Sequence, residues 1–219
     1  MNLIELSNIT FSYADDEPPV FKDFSFSLEK GKCTAVEGDN GSGKTTLFRI
    51  LNGLSFPQEG SFIFDGKEIT RRYLKDNAQA KLFHKRVGYL FQNPDLMLFN
   101  ANVYDEIAFG PRQMGLPESQ VKERTEDCLK LFDLEALTDR APYHLSGGQK
   151  KRVAMAAVMS LNPELLILDE PFAGLDRNSA DRLMKFLIDL KASGKTLLIA
   201  THNPEVSRKL ADEVLVLGK

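Results

Sequence analysis

Gly38-Asp39-Asn40-Gly41-Ser42-Gly43-Lys44-Thr45 follows the apolar run Cys33–Glu37 and precedes Leu47, Ile50, Leu51 and Leu54 at helical spacing. Strand, glycine-rich loop and helix in that order form the context in which the pattern G-x-x-x-x-G-K-[ST] binds phosphate. The glycines let backbone N–H groups converge on phosphate oxygens. The helix opening near Lys44 adds roughly half a positive charge from its dipole. Lys44 is then expected to reach the β- and γ-phosphates, and Thr45 to ligate Mg2+.

Three further apolar runs, 87–91, 165–168 and Thr196–Ala200, are as short and as continuous as Cys33–Glu37. Such runs suit strands buried on both faces of a parallel sheet. Each is followed by a polar residue: Gln92, Asp169, and Thr201 with His202. Ligands of open α/β sheets lie beyond the carboxyl ends of the strands, so four such ends predict one site. Asp169 and Glu170 are two adjacent acids at the end of a buried strand. Asp169 suits a Mg2+ ligand, and Glu170 suits a group that orients and polarises an attacking water. Gln92 and His202 are weak signals alone and gain weight from their places after strands.

Earlier in the chain, Phe24, Phe26 and Leu28 fall two apart, as do Phe62 and Phe64 before the turn Asp65-Gly66. That alternation predicts a small antiparallel layer. Helical stripes recur at Val121, Thr125, Leu129 and Phe132, and at Val153, Ala154, Ala157, Val158 and Leu161. Another runs through Leu183, Leu187 and Leu190, with Asn178 or Ser179 as its start and Gly194 as its stop. Residues 93–160 hold helices and no strand run. They are expected to form a helical lobe inserted into an α/β core of residues 1–92 and 161–219, within a single domain of residues 1–219.

The 219 residues are 42% hydrophobic and 27% charged, with a net charge of −3, which suits a soluble globular chain and predicts no broad basic face. Nucleic acid is therefore not the expected partner. Cys33 and Cys128 offer neither a metal spacing nor a disulfide framework and fit reduced core thiols. No apolar stretch is long enough to span a bilayer, and the start of the sequence lacks the features of a signal peptide. His84 and His144 are expected at the surface or in local hydrogen bonds, and Arg71-Arg72 and Lys150-Lys151-Arg152 on solvated faces, with anchoring of phosphate or partner charge as the alternative for the second run.

Leu145-Ser146-Gly147-Gly148-Gln149 is more selective than the phosphate loop. A serine followed by two glycines at the start of a helix makes a second anion-binding N-terminus. One compact domain cannot easily bring two such ends to one phosphate chain. With these residues in hand, the whole sequence resembles the ATP-binding-cassette (ABC) ATPases. Their motif order is matched by Tyr13, the loop 38–45, Gln92, the run 145–149, Asp169 with Glu170, Ala173-Gly174-Leu175-Asp176, and His202. The resemblance implies that ATP and Mg2+ are cofactors and that two cassettes pair head to tail. It implies that Tyr13 stacks on adenine and that Gln92 senses Mg2+ and the γ-phosphate. Asp176 then contacts the opposite subunit, and His202 bonds the γ-phosphate. Nucleotide contacts are expected from Tyr13, Gly38, Asp39, Asn40, Gly41, Ser42, Gly43, Lys44, Thr45 and Thr46, and across the dimer from Ser146, Gly147, Gly148, Gln149 and Asp176. Lys44, Gln92, Glu170 and His202 are the expected catalytic set, with Thr45, Gln92 and Asp169 at the metal. The expected fold is α/β: a P-loop NTPase core of the RecA-like kind with the antiparallel layer and the helical lobe.

A finer similarity lies in Phe91-Gln92-Asn93-Pro94-Asp95 and Val103-Tyr104-Asp105-Glu106-Ile107-Ala108-Phe109-Gly110-Pro111. These residues are similar to the energy-coupling-factor (ECF) transporter ATPases, which drive uptake of cobalt, nickel, biotin and other vitamins. The family usually has acidic residues or glutamine before Leu-Phe, where this chain has Leu96-Met97. Many members also run on through further strands and helices beyond the point reached here at Gly218-Lys219. The similarity implies a transmembrane coupling subunit and a substrate-binding membrane subunit, a peripheral place on the cytoplasmic face of the membrane, and a groove beside residues 96–100 that grips a partner helix. Other ABC transporter types, and a soluble cassette such as an iron–sulfur assembly ATPase, are the alternatives.

Overall fold

The computed structural model describes residues 1–14 and 16–218. The strands are β1 (Asn2–Phe11), β2 (Phe21–Glu29), β3 (Cys33–Glu37), β4 (Glu59–Phe64), β5 (Lys67–Glu68), β6 (Val87–Leu90), β7 (Leu165–Asp169), β8 (Thr196–Ala200) and β9 (Glu213–Val216). The helices are α1 (Lys44–Leu51), α2 (Asn77–Arg86), α3 (Val103–Gln113), α4 (Glu118–Leu131), α5 (Gly147–Met159), α6 (Arg177–Ala192) and α7 (Pro204–Leu210). Two compact units result, one of residues 1–84 and 187–219, the other of residues 85–186.

In the first unit an antiparallel sheet runs in the order β2–β1–β4–β5. Ile4 faces Leu28 on one side and Phe64 on the other, and Leu6 likewise faces Phe26 and Phe62. The expected layer is there, yet its central strand, β1, gave no alternating signal. Its register shifts around residues 6–11, and Asn8 adopts φ 51°, so buried and exposed positions fall out of step. The same unit holds three parallel strands in the order β8–β3–β9. All five residues of β8 are buried, and so are the first four of β3. Helix α1 ends at Leu51, before Gly53 at φ 66°. Leu54, expected on its apolar stripe, lies beyond the stop and is 51% exposed.

In the second unit β6 and β7 pair in parallel, Val87 beside Leu165 and Leu90 beside Leu168. Gly88 is required here, because a Cβ would come within 2.6 Å of Val158 and 2.9 Å of Pro163. Between residues 93 and 160 the elements are α3, α4, α5 and short 3-10 turns, with no strand. The unit is wider than that stretch, because β6 is held both by β7 and by α5 and so goes with the helices. Helix α6 starts differently from its sequence reading. Asp176, rather than Asn178 or Ser179, caps it: one carboxylate oxygen accepts the Ser179 N–H at 3.0 Å, the other the Ser179 hydroxyl at 2.6 Å.

Candidate active site

The phosphate loop leaves β3 two residues past Val36, and His202 leaves β8 two residues past Ala200, which is the partner of Val36 in the parallel register. Loop and histidine therefore start from the same edge of the same strand pair. On the other flank β9 backs the loop: the Leu217 N–H donates to the Glu37 carbonyl at 2.8 Å. Gly38, at φ 152°, lies so close that a Cβ would meet the Leu217 carbonyl at 2.7 Å. Gly43, at φ 100°, heads α1 and offers no side chain to cap it. The Ser42 hydroxyl oxygen is buried without a hydrogen-bond partner among the described residues. Lys44 folds back over the loop, its Nζ donating to the carbonyls of Gly38 at 2.6 Å and Asp39 at 2.9 Å. A helix start without a capping side chain, a buried hydroxyl with no partner among the described residues and an ammonium over a glycine cradle fit a polyphosphate.

Thr45 is exposed and Thr46 buried, so the two neighbours face opposite ways. The Thr46 hydroxyl lies 2.9 Å from the Tyr13 hydroxyl. Tyr13 also meets Phe11 edge to face at 5.1 Å while remaining 56% exposed. An aromatic ring held at its hydroxyl and packed against Phe11, yet more than half exposed, suits stacking. His202 is exposed in a bend that is fixed on both sides. Thr201 Oγ1 accepts the Asn203 N–H at 3.1 Å, and Asn203 caps α7 through the Glu205 N–H at 2.9 Å.

The second unit repeats the parallel-edge arrangement. Gln92 lies two residues past Leu90, and Glu170 two residues past Leu168, the partner of Leu90. Asp169 is 4% exposed, with the Tyr89 hydroxyl 3.5 Å from its carboxylate. Glu170 adopts φ 47°, an uncommon conformation for a residue with a side chain. Ser146 caps α5 in a capping box: its Oγ accepts the Gln149 N–H at 3.4 Å, and Gln149 Oε1 accepts the Ser146 N–H at 2.9 Å. Gln149 is thus turned onto its own chain, while Ser146 and Gly147 are exposed. Gln92, Asn93, Pro94, Asp95, Gly147, Lys150, Lys151, Ala173 and Gly174 line one cleft of about 510 Å3. Among the described residues no group of three or more His, Cys, Asp or Glu side chains could hold a metal ion.

Two residues outside the expected site set are buried and bonded to backbone. Lys151, expected on a solvated face, is 6% exposed and bonds two carbonyls of the loop after β7. Its neighbours are engaged as well: Lys150 pairs with Asp95 at 2.7 Å, and Arg152 donates to the Phe132 and Asp133 carbonyls at the end of α4. Glu106, in the first turn of α3, is 4% exposed and accepts the N–H groups of Phe99 at 2.9 Å and Asn100 at 2.7 Å. It thereby holds one wall of a groove of about 420 Å3 lined by Asp95, Leu98, Phe99, Asn100, Ala101, Pro142 and Tyr143. Phe99 and Tyr143 are 67% and 74% exposed there. The signal for both residues is a charge on the buried side of a helix: Lys151 precedes buried Ala154 and Met155 by three and four, and Glu106 sits between buried Val103 and Ile107.

The family model for ABC transporters matches residues 21–173. The chain belongs to the ABC transporter ATPase family. Among relatives of this ATPase, the nickel import ATP-binding protein LarO of Lactiplantibacillus plantarum is 44% identical over 216 residues, covering 99% of this chain and 89% of that one. The energy-coupling factor transporter ATP-binding protein EcfA of Methanothermobacter thermautotrophicus is 41% identical over 216 residues, covering 99% and 68%. Of solved structures, CbiO1 of Clostridium perfringens, part of the ABC transporter complex CbiONQ, superposes with a TM-score of 0.84 at 36% identity, covering 99% and 84%. The ATP-binding cassette MJ0796, a dimer in a post-hydrolysis state with ADP and Pi, superposes with a TM-score of 0.87 at 25% identity, covering 98% and 94%. The ABC ATPase described here is therefore an ATP-hydrolysing, ATP-binding subunit with the expected α/β P-loop NTPase fold. Among its described residues no helix is long and apolar enough to cross a membrane.

Proposed function

We propose that this ATPase works as a head-to-tail dimer of cassettes, at the cytoplasmic face of the membrane, and powers an ECF-type importer of a transition-metal ion or a vitamin. The observation that carries the dimer is the opening turn of α5. Gly147 and Gly148 are helical, a Cβ on Gly147 would meet nothing within 4 Å, and one on Gly148 would meet only Leu175 at 3.9 Å. Neither backbone conformation nor packing within the chain demands glycine, although each costs about 1 kcal/mol of helix propensity against alanine. Close approach of a ligand from outside the chain supplies the missing reason.

In this reading Tyr13 stacks on adenine, residues 38–46 cradle the phosphates, and Mg2+ is held through Thr45, Asp169 and Gln92. Ser146, Gly147 and Gly148, with Gln149 and Asp176, serve the nucleotide and interface of the opposite cassette. Glu170 orients water, while Lys44 and His202 hold the transferring phosphoryl group by position and charge. Gln92 links nucleotide state to the groove beside Phe99 and Tyr143, which receives a helix of the transmembrane subunit. The names of LarO and EcfA and the residues between Phe91 and Pro111 support the ECF assignment over other ABC transporters or a soluble cassette.

Two measurements test the reading. Lys44→Ala and Ser146→Ala proteins are each expected to be inactive, and to regain ATPase activity when mixed, because a mixed dimer keeps one intact site. Full activity of Ser146→Ala in dilute monomer sinks the shared site. Purification of the chain from its native membranes is expected to bring integral membrane subunits with it; recovery with a soluble scaffold alone defeats the transport assignment.

A further inference from the structure

Lys151 is a buried cation aimed at backbone. Its Nζ lies 2.7 Å from the Ala173 carbonyl and 3.1 Å from the Glu170 carbonyl, and the side chain comes from α5, two residues past Gln149. Burial lowers its pKa, and the charge of Glu170 opposes that fall. The segment it grips runs from β7 to the Asp176 cap of α6. It is tightly turned, with the Ala173 N–H donating to the Glu170 carbonyl at 3.2 Å and the Leu175 N–H to the Phe172 carbonyl at 3.3 Å. Within that turn Glu170 stands at φ 47°. A left-handed residue with a side chain costs on the order of 1 kcal/mol and persists only where its surroundings over-determine it. Two charge-assisted bonds from one ammonium supply that hold.

We propose that Lys151 is a positioning residue that fixes the Glu170 turn to α5, so that engagement of a nucleotide by the α5 N-terminus at Ser146–Gly148 places Glu170 for the chain's own ATP. Lys151 thereby links the two ATP sites of the dimer. The proposal rests on the reading of Glu170 as the group that orients water. A neutral, apolar Lys151→Met side chain of similar length removes both bonds and leaves the packing volume in place. Arginine can still donate to two carbonyls at once.

The test uses the full chain with ATP and Mg2+, comparing Lys151→Met, Lys151→Arg and Glu170→Gln. Lys151→Met is expected to lower kcat about ten- to a hundredfold, as a misplaced reacting group does. Its KM for ATP should stay within about twofold. Two linked sites are expected to give the wild type a sigmoidal dependence on ATP, and in Lys151→Met that dependence should flatten towards a simple hyperbola. Lys151→Arg is expected to restore most of kcat and the cooperativity. Wild-type kcat and cooperativity in Lys151→Met, while Glu170→Gln abolishes turnover, overturn the role of Lys151 and leave that of Glu170 intact. Near-normal turnover in Glu170→Gln removes the underlying reading instead. A loss in Lys151→Met that comes with a lowered melting temperature and is matched in Lys151→Arg marks general damage, and also overturns the proposal.

Discussion

Glu106→Ala is expected to release the loop that presents Phe99. In the folded chain one carboxylate oxygen of Glu106 accepts two backbone N–H groups, at 2.9 and 2.7 Å, and the side chain is 4% exposed. Hydrogen bonds to a charged group contribute about 1.5–3 kcal/mol each, so two bound the loss at about 3–6 kcal/mol. Phe99 is 67% exposed, so its freed amide can rehydrate, and the lower end of that range applies. A local loss of about 3 kcal/mol corresponds to roughly a hundredfold faster opening. Amide hydrogen exchange of Phe99 and Asn100, followed in the free chain by NMR, reads this directly. Glu106→Gln keeps an acceptor oxygen without the charge and should fall between wild type and alanine. ATP binding should persist in both, while co-purified membrane subunits are lost in Glu106→Ala. Exchange at Phe99 and Asn100 that stays within about threefold of wild type in the alanine variant would refute the reasoning, since about 0.65 kcal/mol is less than either bond alone should contribute.

Gly38→Ala should abolish nucleotide binding, because its Cβ would meet the Leu217 carbonyl at 2.7 Å, whereas Gly41→Ala meets nothing within 4 Å and suffers only the strain of φ 84°. Equal affinities of the two variants in a fluorescent-nucleotide titration would contradict the close approach. Ser146→Asp retains a capping oxygen for α5 but, in the proposed dimer, would turn an anion towards the partner's phosphates. It should melt like wild type and fail to dimerise on ATP in size-exclusion chromatography, and ATP-driven dimers of this variant would argue that Ser146 serves only as a cap. Burial pushes the Cys33 thiol up to about 12 and Cys128 to about 11, from an ordinary value of 9.0. The unfolded chain then sheds protons that the folded chain keeps, so this stability is complete below pH 9.0 and declines as pH rises towards those values. At about pH 10.5 each thiol should have lost about 2 kcal/mol, and the Cys33→Ala, Cys128→Ala double variant should show a flatter fall in urea midpoint with pH; parallel slopes would count against the burial.

The parts of this ATPase that sequence made legible are those in which one short segment carries the whole instruction. Cys33–Glu37 and Thr196–Ala200 read as buried strands because every neighbour along the segment is apolar, and the structure returns them with the same bounds. The polar residues after them became legible through the parallel register, which sets Gly38 level with His202 and Gln92 level with Glu170. What stayed hidden depends on contacts distant in sequence. Strand β1 gains its burial from β2 and β4 on either side, and its bulges erase the alternation that a window of residues can detect. Asp176 was legible as part of a motif but not as the cap of α6, because capping depends on where the helix starts rather than on composition nearby. Lys151 looked like part of a solvated basic run, and Glu106 stood out only as one residue of the stretch 103–111, for a related reason. A charge on the buried side of a helix is costly unless a distant backbone group meets it. Here the carbonyls of Glu170 and Ala173 meet the lysine, and the N–H groups of Phe99 and Asn100 meet the glutamate. The motif residues are read within short segments, whereas these two charges hold loops by bonds to backbone distant in sequence or outside their own helix. A helical stripe that breaks for a single charge is therefore a place to look for coupling before it is dismissed as a solvated face.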